Sequence, residues 1–308
     1  MTELILHHYE GSPFSEKARL MLGYKGLAWR SVTVPVVMPK PDVLALTGGY
    51  RRKPFMQAGA DIYCDTALIA RLLEQRAPAP TLFPASAPLA PQLAQWADST
   101  LFWTVIPYTM QPAGLAQVFA GVPPEMVKAF AADRAPFVAG MKRQTVADAT
   151  VNLRAHAAAL DAQLADGRPF LFGGQASVAD FSVYHCVWYV HRGGSVADVF
   201  APYALLLAWF ARMKAFGRGR SEPMDSGEAI GVAARAGAHA PAEVQRGLGL
   251  EAGQAVTVTP LDYGFDPVAG TLVGLTADEV VLRRTDERAG TVHVHFPRAG
   301  FQIKQEKT

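Results

Sequence analysis

Three hydroxyls crowd the start of the first helical pattern, in Tyr9-Glu-Gly-Ser12-Pro-Phe-Ser15. Ser12 before Pro13 is a helix-start pair: the serine oxygen accepts from a first-turn N–H, and proline lacks only a hydrogen that has no partner there. Free N–H groups and the positive dipole end favour an anion at such a start, and a thiolate is one such anion. Ser12 therefore either caps the helix alone or also serves a bound anion. A second polar pair, Asp65-Thr66, opens another amphipathic segment, where Asp65 is either a ligand-binding carboxylate or a plain N-cap. Three cations, Arg51, Arg52 and Lys53, stand just before Pro54 and either face solvent or meet an anionic group. His293 and His295 lie two apart on one strand face, as metal ligands could, but a third ligand at a convincing spacing is missing and no metal is expected.

These residues need a scaffold. Leu4, Ile5 and Leu6 form a short apolar run suited to a buried strand, and Phe14, Ala18, Met21 and Leu22 recur at helical spacing beyond it. An extended segment at 31–37, a short helical piece at 42–46 and a hairpin around 58–61 follow. Asp65-Thr66 then starts a helix with Ile69, Leu72 and Leu73 on its apolar side. This order, with Ser-Pro-Phe-Ser at the first helix, resembles the N-terminal thioredoxin-like domain of glutathione transferases over about residues 1–76. Farther on, Pro169-Phe-Leu-Phe-Gly-Gly-Gln-Ala-Ser-Val-Ala-Asp180 is similar to the helical-domain signature of the same family, extending the match to about residue 217.

The expected architecture is an α/β thioredoxin-like N-terminal domain (1–76), a stiff proline-rich linker (77–91) and an all-α helical domain (92–216). A second linker with a possible short helix (217–250) leads to a small β-barrel-like extension (251–308). In the helical domain, Pro107 and Pro112 should kink or end their element. Leu153, Ala157, Leu160 and Leu164 mark an amphipathic helix, and Ser177 with Asp180 forms a capping box whose role is stability. In the last part the period changes: apolar runs at 256–258, 271–273, 280–282, 292–296 and 301–303 recur about every ten residues, the spacing of a small antiparallel sheet or barrel. That part lies outside the family pattern and is expected to pack on the helical domain or on a second subunit.

With 308 residues, half of them apolar, the chain can build two or three cores. Its formal net charge of +2, without long like-charge blocks, gives no support to a nucleic-acid or membrane partner. In residues 251–308 acids outnumber bases, which argues against an RNA-binding barrel. Two cysteines, Cys64 and Cys186, far apart and outside any metal-ligand spacing, suit a reducing compartment. The N-terminus shows no signal-peptide pattern and no run is long and apolar enough for a membrane span, so a cytoplasmic protein is expected.

The resemblance implies attack of a glutathione thiolate on a small hydrophobic electrophile, with glutathione as co-substrate and no further cofactor. It implies Ser12 as the activating hydroxyl, as in serine-type members that read Ser-Pro-Phe here, with Tyr9 as rival. It places Lys53, Pro54, Asp65 and Thr66 at the peptide: Pro54 matches the family's cis-proline, and Asp65-Thr66 its acid–serine pair. Lys53 stands where the family has an apolar residue, and Asp65 is shorter than the usual Glu or Gln. By the same resemblance Trp103, Pro107, Tyr108 and Met110 line the electrophile pocket, and the protein is a homodimer. Thiol–disulfide exchange is disfavoured, since positions 12 and 15 are serines and a serine alcohol forms no mixed disulfide. A strand-end Cys64 is read as packing. The competing class is a catalytically silent member that binds a ligand or partner, with the β extension as its interaction surface.

Overall fold

A parallel pair of strands, β1 (Ile5–His8) and β2 (Ala28–Thr33), joined through α1 (Pro13–Tyr24), opens the fold in the computed structural model, which describes residues 2–306. Ser12 caps α1, its Oγ accepting from Ser15 N at 3.2 Å, and Ala18, Leu20, Met21 and Leu22 bury the inner face. Then come α2 (Pro41–Thr47), β3 (Phe55–Ala58), β4 (Asp61–Cys64) and α3 (Thr66–Arg76). Helix α2 ends at Gly48 with φ 72°, a left-handed C-cap where a Cβ would also strike the Arg284 guanidinium. Strand β3 runs antiparallel to both β1 and β4. The expected thioredoxin-like unit is present.

The helical domain follows as α4 (Ala90–Trp96), a π-turn (Ala97–Leu101), α5 (Phe102–Thr109), α6 (Pro112–Val118), α7 (Pro124–Arg134), α8 (Val146–Gln163), α9 (Val178–His191) and α10 (Ala204–Lys214). Helix α9 is buried on almost every residue, as its all-round apolar sequence requires. Its cap is tied into the core: Asp180 accepts from Ser177 N (2.8 Å), Ser177 Oγ (2.9 Å), Leu171 N (2.8 Å) and Trp209 Nε1 (2.9 Å). Pro112 starts α6, but Pro107 sits inside α5 without ending it. Proline removes only the bond to the Trp103 carbonyl, and Met110 N donating to Ile106 O at 3.0 Å carries the helix past it.

The stretch expected as a second linker with a possible short helix holds a helix and, in addition, a strand. Here β5 (Arg220–Pro223) adds to β2 in parallel, and α11 (Ser226–Ala234) packs on the same side of the sheet as α2. The five β runs become β6 (Ala255–Pro260), β7 (Val268–Leu275), β8 (Glu279–Asp286), β9 (Gly290–Pro297) and β10 (Phe301–Gln305). They do not form a detached unit. All strands join one ten-stranded sheet in the order β10-β6-β7-β8-β9-β4-β3-β1-β2-β5. The seam is β4 with β9, parallel, pairing Asp61 with His293, Ile62 with Val294 and Tyr63 with His295. The extension thus docks chiefly on the thioredoxin-like sheet, while its loop 261–266 also reaches the helical domain at Trp103 and Phe137. The physical reason is that β4 would otherwise be an edge strand with a row of unpaired backbone groups. A short link, 298–300, carries β9 into β10, which pairs with β6 at the far side; the five strands therefore curl like an open barrel.

Two cores lie on the two faces of the sheet. One joins α1, α3 and the helical domain; the other joins α2 and α11 to Val256, Leu272, Leu282, Val294 and Phe296 of the extension. Because the second core includes Ile5, Phe55 and Ile62 of the thioredoxin-like unit, the extension and that unit should unfold together. Leu282→Ala, at a fully buried site, should cost about 2–5 kcal/mol. Native-state hydrogen exchange should then show β4 and β8 amides losing the same protection; a loss confined to β6–β10 would separate the two units.

Candidate functional site

The end of β1, the start of α1 and the loop before β3 meet α5 and α7 around a cavity of about 700 Å³. Tyr9, Ser12, Pro13 and Phe14 form its floor, and Phe102, Trp103, Ile106 and Met110 one wall. Of the four pocket residues expected on this helix, Trp103 and Met110 line the cavity. Pro107 and Tyr108 do not: the Tyr108 hydroxyl donates to Val196 O at 2.8 Å, into the helical core. Residues 103, 106 and 110 share a helix face, while 108 points off it. The wall is completed by Phe119, Phe130 and Phe137, aromatic residues in a segment whose sequence carries little periodic signal.

Tyr9 and Ser12 both face this space. The loop between them is fixed from behind by Arg19, whose guanidinium is buried, pairs with Glu16 at 2.8 Å and donates to Glu10 O at 3.1 Å. Arg19 also donates to His8 Nδ1 at 2.9 Å, and Ser31 Oγ lies 2.9 Å from His8 Nε2. Burial, helped by the Arg19 charge, lowers the His8 pKa to about 4, so the ring is a neutral strut. Ser12 accepts the capping N–H but keeps its own hydroxyl hydrogen. Capping and donation to an anion are therefore compatible.

Lys53 borders both this cavity and a smaller cleft, and Pro54, joined to it by a cis peptide bond, borders the smaller cleft alone. Asp65 caps α3, accepting from Ala67 N at 2.9 Å, with φ 76°. That left-handed backbone is rare for a residue with a Cβ and costs about 1–3 kcal/mol; it lies where Asp65, Thr66 and Ala67 line the cleft. Thr66 is held by a buried charge network that the sequence reading missed. Lys17 Nζ donates to Thr66 Oγ1 (2.9 Å) and to Asp98 Oδ2 (2.5 Å), and Asp98 Oδ1 accepts from His185 Nε2 (2.9 Å). Burial alone would raise the Asp98 pKa; the Lys17 ammonium and His185 outweigh it and hold the carboxyl below its ordinary value. Asp98 stands in the π-turn, a helix irregularity of a kind common at functional sites.

The smaller cleft, bordered by Pro54, Asp65, Thr66 and Asp98, holds only about 60 Å³, room for a few waters. It is narrowed by the extension. Arg52 donates to Asp262 at 2.5 Å and to the Tyr263 carbonyl, and its guanidinium lies 3.8 Å over the Tyr263 ring. Tyr263 also packs on Trp103, ring centroids 5.3 Å apart, while Gly264 N donates to Phe137 O at 2.9 Å. Arg51 pairs with Asp133 at 3.1 Å. The three cations therefore do not simply face solvent. Lys53 is buried and has no carboxylate partner among the described residues; burial first, then the nearby Lys40, Arg134 and Arg51 charges, push its pKa well down. Cys64 is buried, and burial pushes its thiol up, as packing rather than reactivity requires. His293 and His295 lie outside this cavity, beside Asp61.

Comparison with known proteins decides the family. The family model "Glutathione S-transferase, N-terminal domain" matches residues 6–81, and "Glutathione S-transferase, C-terminal domain" matches 143–212. A crystal structure of a GST-like protein from Pseudomonas syringae is 40% identical, with a TM-score of 0.83, covering 99% of this chain and 100% of that one. The chain belongs to the glutathione S-transferase family. A glutathione S-transferase from Rhodospirillum rubrum (19% identity, TM-score 0.53) covers 69% of this chain and 88% of that one. FzlA from C. crescentus (23%, 0.53) has the same coverages. These two share the fold, over a span about the length of the thioredoxin-like and helical parts. The sequence matches none of the curated proteins compared with it.

Lys17 is buried against Asp98 beside the cleft, so removing one partner alone should be costly. Asp98→Asn should cost about 3–5 kcal/mol in urea denaturation by stranding a buried ammonium, and Lys17→Met added to it should restore most of the loss. The sign with pH is fixed by the Asp98 shift. A carboxyl depressed in the folded state stabilises fully above its unfolded pKa of about 3.9 and loses that contribution as pH falls through the folded value. The double variant should therefore lose less stability than wild type below about pH 4.

Proposed function

We propose that the protein is a serine-type glutathione transferase that activates the glutathione thiolate for attack on a small hydrophobic electrophile. The observation that carries this reading is Ser12 at the N-terminus of α1, with a hydrogen left to donate, beside a large aromatic cavity. An ordinary thiol has a pKa of about 8.5 and is only a few per cent ionised at neutral pH. The Ser12 hydroxyl and the N-terminal end of α1 would stabilise the sulfur anion, and the thiol proton would pass to solvent. Asp65, in this reading, meets the γ-glutamyl ammonium, while Thr66 and the first N–H groups of α3 meet its carboxylate. The backbone before Pro54 pairs with the cysteinyl part, and Lys53 offers a charge to the glycyl carboxylate. Thiolate attack on the electrophilic carbon then forms the carbon–sulfur bond in the apolar cavity beside Trp103 and Met110, where water competes poorly. For a chloronitrobenzene the C–Cl bond breaks and chloride leaves to solvent with its electron pair.

The narrow cleft favours one rival. A tripeptide needs far more than the present space over Thr66, so the loop 261–266 must withdraw for glutathione to enter; if it stays, the protein binds an apolar ligand without catalysis. We also infer a cytoplasmic homodimer, on the family resemblance; light scattering of the purified protein tests the dimer, and a monomer would refute it. Among the described residues, no helix is long and apolar enough to cross a membrane.

Glutathione titrated into wild type, with heat and thiolate absorbance followed together, should show binding and an ionised thiol. Ser12→Ala should keep binding, raise the bound thiol pKa by about one to two units and lower kcat/KM for a chloronitrobenzene about tenfold to a hundredfold. An equal loss confined to Tyr9→Phe would move the role to Tyr9. Tyr263→Ala should tighten glutathione binding if the loop is a lid. Absence of binding in both wild type and Tyr263→Ala would establish the silent reading.

A further inference from the structure

On the far side of the seam, three side chains from three distant parts of the sequence converge. Asp61 comes from β4, His293 from β9, and His239 from the irregular segment after α11. His239 Nδ1 lies 3.8 Å from Asp61 Oδ1, and His293 Nδ1 lies 4.0 Å from the same oxygen. The two imidazoles stack at 3.7 Å between centroids, 13° between planes. Both Nδ1 atoms are out of contact with water and have no hydrogen-bond partner among the described residues.

Neither tautomer settles this arrangement. A protonated Nδ1 at 3.8–4.0 Å is too far from the carboxylate for a hydrogen bond, and a bare Nδ1 sets a lone pair facing an anion. Buried polar atoms are rarely left so, and two on one carboxylate call for a common partner. The carboxylate itself is held in place: His295 Nε2 donates to Oδ1 at 3.0 Å and Ala240 N donates to Oδ2 at 2.8 Å. Fixed carboxylates and imidazoles of this kind are how proteins orient metal ligands.

We infer that Asp61, His239 and His293 form a binding site for a first-row divalent metal ion, of which Zn²⁺ fits the donor set best. Two imidazole nitrogens and one carboxylate oxygen suit zinc and its neighbours, whereas calcium and magnesium prefer oxygen alone. In tetrahedral zinc sites with bonds of about 2.0–2.1 Å, ligand atoms are about 3.3 Å apart, so the cluster must close by about half an ångström and the stacked rings must splay. The partly exposed His239 leaves the fourth position to water. The ion would fasten the segment after α11 to the β4–β9 seam, a structural role outside the catalytic cavity. The sequence expectation of no metal rested on His293 and His295 lacking a third ligand; the fold replaces His295 with His239 and gives Asp61 as the third.

The test uses full-length, untagged, chelator-stripped protein. Zn²⁺ titrated by calorimetry should bind one ion per chain and raise the melting temperature, and Co²⁺ should give the intense visible band of a tetrahedral site. His239→Gln and His293→Gln should each abolish the Co²⁺ band and the Zn²⁺-dependent shift, while His156→Gln on α8 should leave both unchanged. Should His293→Gln fail to fold, His239→Gln, outside the sheet, still decides. Wild type without a Co²⁺ band or a Zn²⁺-dependent shift would overturn the inference, as would a response that survives in the His239 variant.

Discussion

A long edge strand with unpaired backbone groups is a liability, and the architecture of this protein follows from how β4 avoids that position. Its free N–H and C=O groups are taken by β9 in parallel. Parallel partners far apart in sequence need a long crossover, and residues 65–289 provide it, including the whole helical domain. Once β9 is in place, β8, β7, β6 and β10 follow by antiparallel pairing, and their apolar faces complete a core that α2 and α11 alone would leave half covered. The seam also fixes where the connecting loops fall. The loop after β6 is carried over the cleft beside Thr66, and Asp61 is set beside β9's histidines. Two features with different chemistry are thus consequences of one backbone pairing.

Charge burial is the second organising force. Lys17 and Arg19 on α1 are each buried and each offset, Lys17 by Asp98 of the helical domain and Arg19 by Glu16 of the same helix, which in turn meets Arg218 at 2.7 Å. The helix that presents Ser12 is thus tied to its surroundings through Asp98 and Arg218. Such pairs contribute little net stability but leave few alternative packings, since breaking either strands a charge in the interior. Around the cleft the balance is different. Arg52 is offset by Asp262 and the Tyr263 ring, both from the extension, whereas Lys53 has only backbone carbonyls at 3.2–3.3 Å. A buried cation in that position is costly in the empty protein and becomes favourable when an anion arrives. The charge that departs from the family pattern therefore makes the site receptive to an anionic ligand.

Local patterns carried much of this in the sequence. Ser12-Pro13, Asp65-Thr66 and the Ser177–Asp180 box are read from neighbours within a turn, because capping depends on residues two or three apart. The five β runs were legible for the same reason, their alternation being set by one sheet face. What escaped depends on contacts across the chain. Nothing near Lys17 announces Asp98, and Arg52 gives no sign of Tyr263, 211 residues on. Pro107 and Tyr108 were placed in the pocket by resemblance, whereas the helix rotation that turns Tyr108 toward Val196 follows from packing against the 194–200 turn.

The position of Tyr263 has a mechanical consequence. Its ring stands between Arg52 of the thioredoxin-like unit and Trp103 of the helical domain, and the neighbouring Gly264 is hydrogen-bonded to Phe137. The loop 261–266 is thus held by three separate parts of the cavity wall rather than by the sheet that carries it. Its withdrawal would break a charge-assisted hydrogen bond and a stacking contact on the buried Arg52, while the paired part of β6 and β7 need not move. A ligand that supplies a carboxylate to Arg52 and an apolar group to Trp103 replaces what the loop offers. Displacement by such a ligand would then be an exchange of like interactions rather than a net loss.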